Sequence, residues 1–167
     1  FLLFVQMDIR YGRRPFLPGE EVVVKVALAG DPATVKPEIL PSAGLRPAHP
    51  PVFATALGEA DYRLVAVAPG EAVAAVTVQG QRLEKRIVIG SGQPALANDR
   101  QAGNGAAHLI DPAEAPFPPG GPVRALRVHY PARTIDLPLL PMNWIWLYLI
   151  LVFAVALGLK DLFGVEF

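Results

Sequence analysis

Three histidines, at 49, 108 and 129, are the side chains of this sequence best suited to metal binding or proton transfer, and their spacing supports neither role. A metal ion needs converging donors. No two of these imidazoles fall on one face of a helix or strand, and Asp111 and Glu114 near His108 do not reproduce a known ligand spacing. The nearest approach to a nucleophile turn is Gly90-Ser91-Gly92, but Ser91 ends a strand pattern and enters a Gly/Pro-rich segment, without the strand–turn–helix setting that activates a serine. Asn104-Gly105 and Gly120-Gly121 precede no helix start whose amides could hold a phosphate. Cysteine is absent, which removes disulfides, thiolate metal sites, a Cys nucleophile and a blue-copper centre. The sequence therefore points to no catalytic residue, no metal, no cofactor and no small-molecule substrate, and a non-enzymatic role is the expectation.

The elements around these residues are mostly strands. At 167 residues with formal net charge zero and 18% charged side chains, the chain lacks the basic stripe that nucleic acid requires. Its 18 Pro and 15 Gly punctuate short apolar segments rather than forming a tract, as in an antiparallel β protein. FLLFV is open to three readings: the tail of a membrane helix, the start of a processed chain, or a first strand. Alternation favours a strand from Val5, with Val5, Met7, Ile9 and Tyr11 opposite Gln6, Asp8 and Arg10. After the turn Arg13–Gly19, EEVVVKVAL places Val22, Val24, Val26 and Leu28 on one face. Val35 to Leu40 and Val52 to Leu57 read as short strands that Pro37 and Pro51 confine to edges or strand starts. DYRLVAVA, EAVAAVTV and RLEKRIVIG, separated by Pro69-Gly70 and Gln79-Gly80-Gln81, read as an antiparallel meander. Its inner face would carry Tyr62 and Leu64, then Ala74, Val76 and Val78, then Leu83, Ile87 and Ile89.

The pairing of PGEEVVVKVAL with DYRLVAVAPGEAVAAVTVQG resembles bacterial immunoglobulin-like or fibronectin-type-III-like modules, in which a Pro-Gly turn introduces a strand and a Tyr sits near the end of the sandwich. The resemblance covers roughly residues 4 to 90. It implies a scaffold or binding module and brings no catalytic residue with it. The expected fold is thus mainly β, an antiparallel immunoglobulin-like β-sandwich over residues 1–90.

Residues 91–136 are expected to form a Pro/Gly-rich extended linker, its composition favouring disorder, with one extra strand near 123–130. In that strand Leu126, Val128 and Tyr130 lie opposite Arg127 and His129. Residues 137–167 hold the longest apolar run. Leu137 to Leu159 carries no charge, Pro141 interrupts it, and Trp144, Trp146 and Tyr148 crowd its front, where amphipathic rings suit a membrane interface. Lys160 follows and can snorkel to headgroups. This reads as a single C-terminal transmembrane helix with a short tail. The helix has no ionisable side chain for a proton relay or haem, but Ala154 and Gly158, at i and i+4, form a small-residue notch for close helix packing. The expected partners are the lipid bilayer and other membrane protein subunits, with the sandwich on the extracytoplasmic side. Two functions fit: an accessory or assembly subunit on the periphery of a larger membrane complex, such as a respiratory or photosynthetic one, or a tethered ectodomain that binds a ligand or adheres independently.

Overall fold

The computed structural model describes residues 2–103, 113–136 and 141–163, with the side chains of residue 2 and of residues 160–163 excepted. Most of it is antiparallel sheet, and a helix closes the described chain. It divides into two compact units, Phe1–Pro131 and Ala132–Phe167.

The first unit begins with a helix, α1 (Leu2–Met7), that runs on as a π-helical turn, Asp8–Gly12. This corrects the strand expected from Val5. Val5 and Ile9 share a face at either period, and the helical one is taken because it buries Ile9 and Gly12 together on one side. Ile9 O then accepts from Leu96 N at 3.2 Å, and Arg13 Nη1 donates to Leu96 O at 2.9 Å, so the turn is fastened to a distant segment.

The strands that follow are β1 (Glu21–Leu28), β2 (Glu38–Pro41), β3 (Leu45–Pro47), β4 (Val52–Ala54), β5 (Glu59–Ala66), β6 (Gly70–Val78), β7 (Gln81–Ile89), β8 (Asp99–Gln101) and β9 (Val123–Val128), with a short helix α2 (Pro32–Val35) between β1 and β2. The proposed strand 35–40 therefore starts as helix, because Asp31 Oδ1 caps Ala33 N at 3.0 Å and Pro32 suits a first turn. Likewise 52–57 is strand only to Ala54, then a 3₁₀ turn, Thr55–Leu57.

One six-stranded sheet has the order β3-β5-β1-β9-β8, with β4 pairing β5 beside β3; a second sheet has the order β2-β6-β7. Inward residues of both sheets form one core, with Val22, Val24, Val26 and Leu64 from the first and Ala74, Val76, Val78 and Ile87 from the second. Every residue named above for the inner face of the meander is buried. The meander itself is corrected. β5 and β6 lie in different sheets, so Pro69-Gly70 turns the chain from one sheet to the other instead of closing a hairpin. β6 and β7 do form a hairpin, in register from Gly70↔Ile89 to Val78↔Gln81, across a two-residue turn with φ 49° at Gln79 and 80° at Gly80. Two positive φ values match the right-handed twist of the strands it joins.

The described residues of the expected linker, 91–103 and 113–131, group with this unit. The extra strand expected near 123–130 is β9; it lies between β1 and β8, with Val128 opposite Val24 and a register shift near Leu28. Leu96 and Phe117, from the stretch whose composition favoured disorder, are almost wholly buried.

Among the described residues no named strand lies beside the outer edge of β7, and several of its outward polar groups are met by other segments. Glu84 O accepts from Arg100 Nη1, Arg86 N donates to Glu114 Oε1 at 2.8 Å, Val88 N donates to the Tyr130 hydroxyl at 3.0 Å, and Phe16 N donates to Val88 O at 3.2 Å. Gly90 N completes the series by donating to Phe16 O at 2.7 Å. Phe16 and Tyr130 also pack together, ring centroids 5.0 Å apart. An open edge is a template for pairing with another chain, and here the Phe16 backbone and side chains from distant segments cover part of it.

In the second unit, β10 (Ile135–Asp136) pairs with β11 (Pro141–Met142), and α3 runs from Trp144 to Phe163. In the apolar run expected as helix, residues 137–140 lie outside the described residues, Pro141–Met142 is strand, and the helix begins at Trp144. Pro141 cannot donate within a helix, and Asn143 caps the start, its Oδ1 accepting from Ile145 N at 3.2 Å.

Candidate functional site

α3 carries the aromatic and small residues singled out in the C-terminal apolar run. Every described side chain from Leu151 to Leu159 is exposed, and successive residues such as Leu151, Val152 and Phe153 step about 100° around the axis, so the helix presents apolar surface on all sides. Phe153 is 64% exposed and Leu157 66%. Water is a poor solvent for such a helix, which belongs in lipid or against other apolar chains. At 20 residues α3 is about 30 Å long, yet among the described residues no helix is long and apolar enough to cross a membrane. Ala154 and Gly158 lie exposed on one stripe of α3, and a Cβ built at Gly158 would meet nothing within 4 Å, so the notch is open. The aromatic group is not uniform. Trp146 is exposed and Tyr148 borderline, whereas Trp144 is buried. Lys160 lies outside the described side chains.

The chemistry-bearing residues are not brought together. His129 is exposed just after β9, His49 is exposed on another part of the unit, and His108 and Asp111 lie outside the described residues. Ser91 is exposed between two glycines with φ 119° and 117°. Among the described residues no three His, Cys, Asp or Glu side chains are grouped to hold a metal ion.

His49 does border a cleft of about 320 Å³ between the β2 edge and the β3–β5 side of the larger sheet, together with Glu38, Tyr62 and Arg63. Three prolines, 37, 47 and 51, stiffen its rim. The Tyr62 hydroxyl donates to Pro37 O, which ties the two sheets at this end. Burial, reinforced by the negative charge of Glu38, pushes the Tyr62 phenol up to about 12. It stays protonated and donates. The cleft offers a cation, a carboxylate and an imidazole at its mouth, a set suited to polar recognition.

The polar centre that sequence reasoning missed is Lys85. It sits on β7 between Leu83 and Ile87 and is completely buried. Its ammonium pairs with the Glu114 carboxylate and donates to Ala97 O at 2.7 Å, while the second oxygen of Glu114 takes the Arg86 amide. Arg100 extends the arrangement, donating from Nε to Ala115 O at 2.7 Å with its guanidinium 4.5 Å from the centre of the Phe117 ring. The alternation of β7 carried the signal, because Lys85 occupies an inward position. A charged residue there requires a partner from elsewhere in the chain. Glu114, considered above only as a metal ligand beside His108, is that partner. The arrangement fastens the described ends of segment 91–122 to the sandwich, and nothing in it is a reacting group aimed at a cavity.

No family model, curated protein or solved structure matches this chain.

Proposed function

We propose that the chain is a non-enzymatic, membrane-anchored accessory or assembly subunit, held by α3 in the bilayer on the periphery of a larger membrane complex. The observation that carries this reading is the apolar surface of α3, exposed on every side. The uncharged part of the helix, Trp144–Leu159, is about 24 Å long, shorter than the hydrocarbon core, so the reading rests on its exposed apolar surface and on the aromatic residues that precede it as they do at an interface. Ala154 and Gly158 then offer a neighbouring helix close backbone approach, which matters in lipid because apolar burial adds little between helices there. The sandwich unit belongs to the immunoglobulin-like or fibronectin-type-III-like class in this reading, which two packed antiparallel sheets with a shared core support. It is placed on the extracytoplasmic side. Respiratory and photosynthetic assemblies are the kind of complex such a subunit would serve.

A second reading, a tethered ectodomain with its own ligand, draws on the cleft at Glu38, His49 and Arg63. The two are separated by solubilising membranes in a mild detergent and measuring the native mass of the species containing this chain. The accessory reading expects a stoichiometric complex that the double variant Ala154→Leu/Gly158→Leu loses while staying in the membrane fraction. A chain that always emerges alone would leave the tethered ectodomain; a double variant that still co-purifies would move the binding surface to the sandwich unit. A chain found only in the aqueous fraction would refute the anchor.

A further inference from the structure

We propose that the sandwich unit makes a membrane contact of its own through α1, with Leu3 and Phe4 in the hydrocarbon and Tyr11 and Arg10 at the headgroup layer. The inference rests on the membrane reading of α3 and extends it to a second, independent element.

The helical segment 2–12 has one side committed to the protein. Ile9 is buried, its carbonyl accepts from Leu96 N, and Arg13 is held by Leu96 O and faces Asp8 at 3.5 Å. What the segment turns outward is ordered along its length. Leu3, 67% exposed, and Phe4 come first, the polar Gln6 follows, and Arg10 and Tyr11, both exposed, come last, about two turns beyond the apolar pair. Large apolar side chains, then an amphipathic ring with a cation, is the order in which a chain leaving a bilayer meets hydrocarbon and headgroups. α3 has the reverse order, Trp146 and Tyr148 ahead of Ile150–Leu159, the order of a chain that enters.

Lipid is the occupant that this pattern fits best. A protein groove would explain Leu3 and Phe4, but it would not require an exposed guanidinium and a phenol at one end of the same short helix. Arg14 is not available for the role, since it is engaged in two hydrogen bonds to Glu20 at 2.7 and 2.9 Å, whereas Arg10 is exposed and its stem is long enough to reach phosphate. Arg10 and Tyr11 therefore mark the depth at which the contact ends.

The chain contains no Cys, so a single introduced thiol can be labelled without competition from native ones. The full-length protein is reconstituted into phosphatidylcholine/phosphatidylglycerol vesicles as four separate variants, Leu3→Cys, Tyr11→Cys, Phe153→Cys and Arg82→Cys, each carrying an environment-sensitive fluorophore. Arg82 is an exposed position on β7. The expected result is a blue shift and quenching by acyl-chain nitroxide lipid at 153 and at 3, weaker quenching at 11, and none at 82. If 153 is quenched while 3 behaves as 82 does, the α1 contact is overturned and the α3 anchor stands. Quenching absent at 153 overturns the membrane reading and this inference with it. Equal quenching at 3 and 82 means general adsorption of the unit and also overturns the proposal.

Discussion

Replacing Glu114 by Ala should cost the sandwich unit about 3–5 kcal/mol, the usual loss when one partner of a buried ion pair is removed. The structure explains why the upper part of that range applies. Lys85 is wholly buried and cannot swing its ammonium to water, so the charge stays in the core without the carboxylate that faces it. The same substitution strands the Arg86 amide at the β7 edge, and an unsatisfied buried donor costs about 1–3 kcal/mol in its own right. A domain of this size has about 5–15 kcal/mol in total, so the variant should be close to unfolding. The decisive comparison is Lys85→Met/Glu114→Ala. Removing both charges and filling the space with an apolar side chain is often neutral or even stabilising by about 1–4 kcal/mol, so the double variant should recover much of the loss. Hydrogen exchange over the β7 amides, followed against urea in the full-length protein, reads this locally and is unaffected by α3. A loss below about 1 kcal/mol in the single variant would refute the reasoning, because that is the range of an exposed pair. A double variant as damaged as the single would show that the lost bond from the Arg86 amide to Glu114, which both variants lack, outweighs the stranded charge.

Two further outcomes follow from the core. Asp in place of Val76, which is fully buried at the centre of β6, should unfold the unit at a cost of several kcal/mol, while Thr77→Asp should stay within about 0.5 kcal/mol; thermal unfolding of the two variants checks this, and equal effects would contradict the register. Thr77 lies between Glu38 and Arg82 on neighbouring strands, so an added carboxylate there meets one like and one opposite charge. The second outcome concerns alkaline pH. Burial holds the phenols of Tyr62 and Tyr130 at about 12 against the usual 10.0, so the native state keeps protons that the unfolded chain releases. Their contribution is complete below pH 10 and is lost as pH rises toward 12. Urea unfolding across that window should show a steeper fall for the native chain than for Tyr62→Phe/Tyr130→Phe.

What was legible in the sequence was whatever depends on local period and turn chemistry. Val22, Val24, Val26 and Leu28 point inward as read, and the Gln79-Gly80 hairpin forms as read, because two residues able to adopt positive φ fix the strand pairing by themselves. The β5-to-β6 connection was not legible. An inward residue faces the same core from either sheet, so alternation cannot say that Pro69-Gly70 changes sheets. Nor was α1, since positions four apart coincide on both a strand face and a helix face. Segment 91–122 shows no period because its only strand among the described residues, β8, is three residues long and the other described parts are held by side chains: Lys85 on Ala97 O, Glu114 on the β7 edge, and Phe117 in the core. As for the site, α3 and its Ala154–Gly158 stripe were visible from composition and spacing. The cleft at His49 was not, because it depends on how the two sheets meet.

The closure of the β7 edge also sets an order of events during synthesis. Phe16 precedes β7, but Arg100, Glu114 and Tyr130 all follow it, and β9, the neighbour of β1, follows as well. A nascent chain released from the ribosome as far as Gly90 would have both sheets begun and two strand flanks open, one on β1 and one on β7. Flanks of that kind recruit other chains, and the hazard lasts until residues up to 130 have emerged. Translation speed across 91–130 therefore governs how long the half-made protein is exposed to mispairing, and synonymous changes that slow this stretch should lower the soluble yield with no change in the final fold.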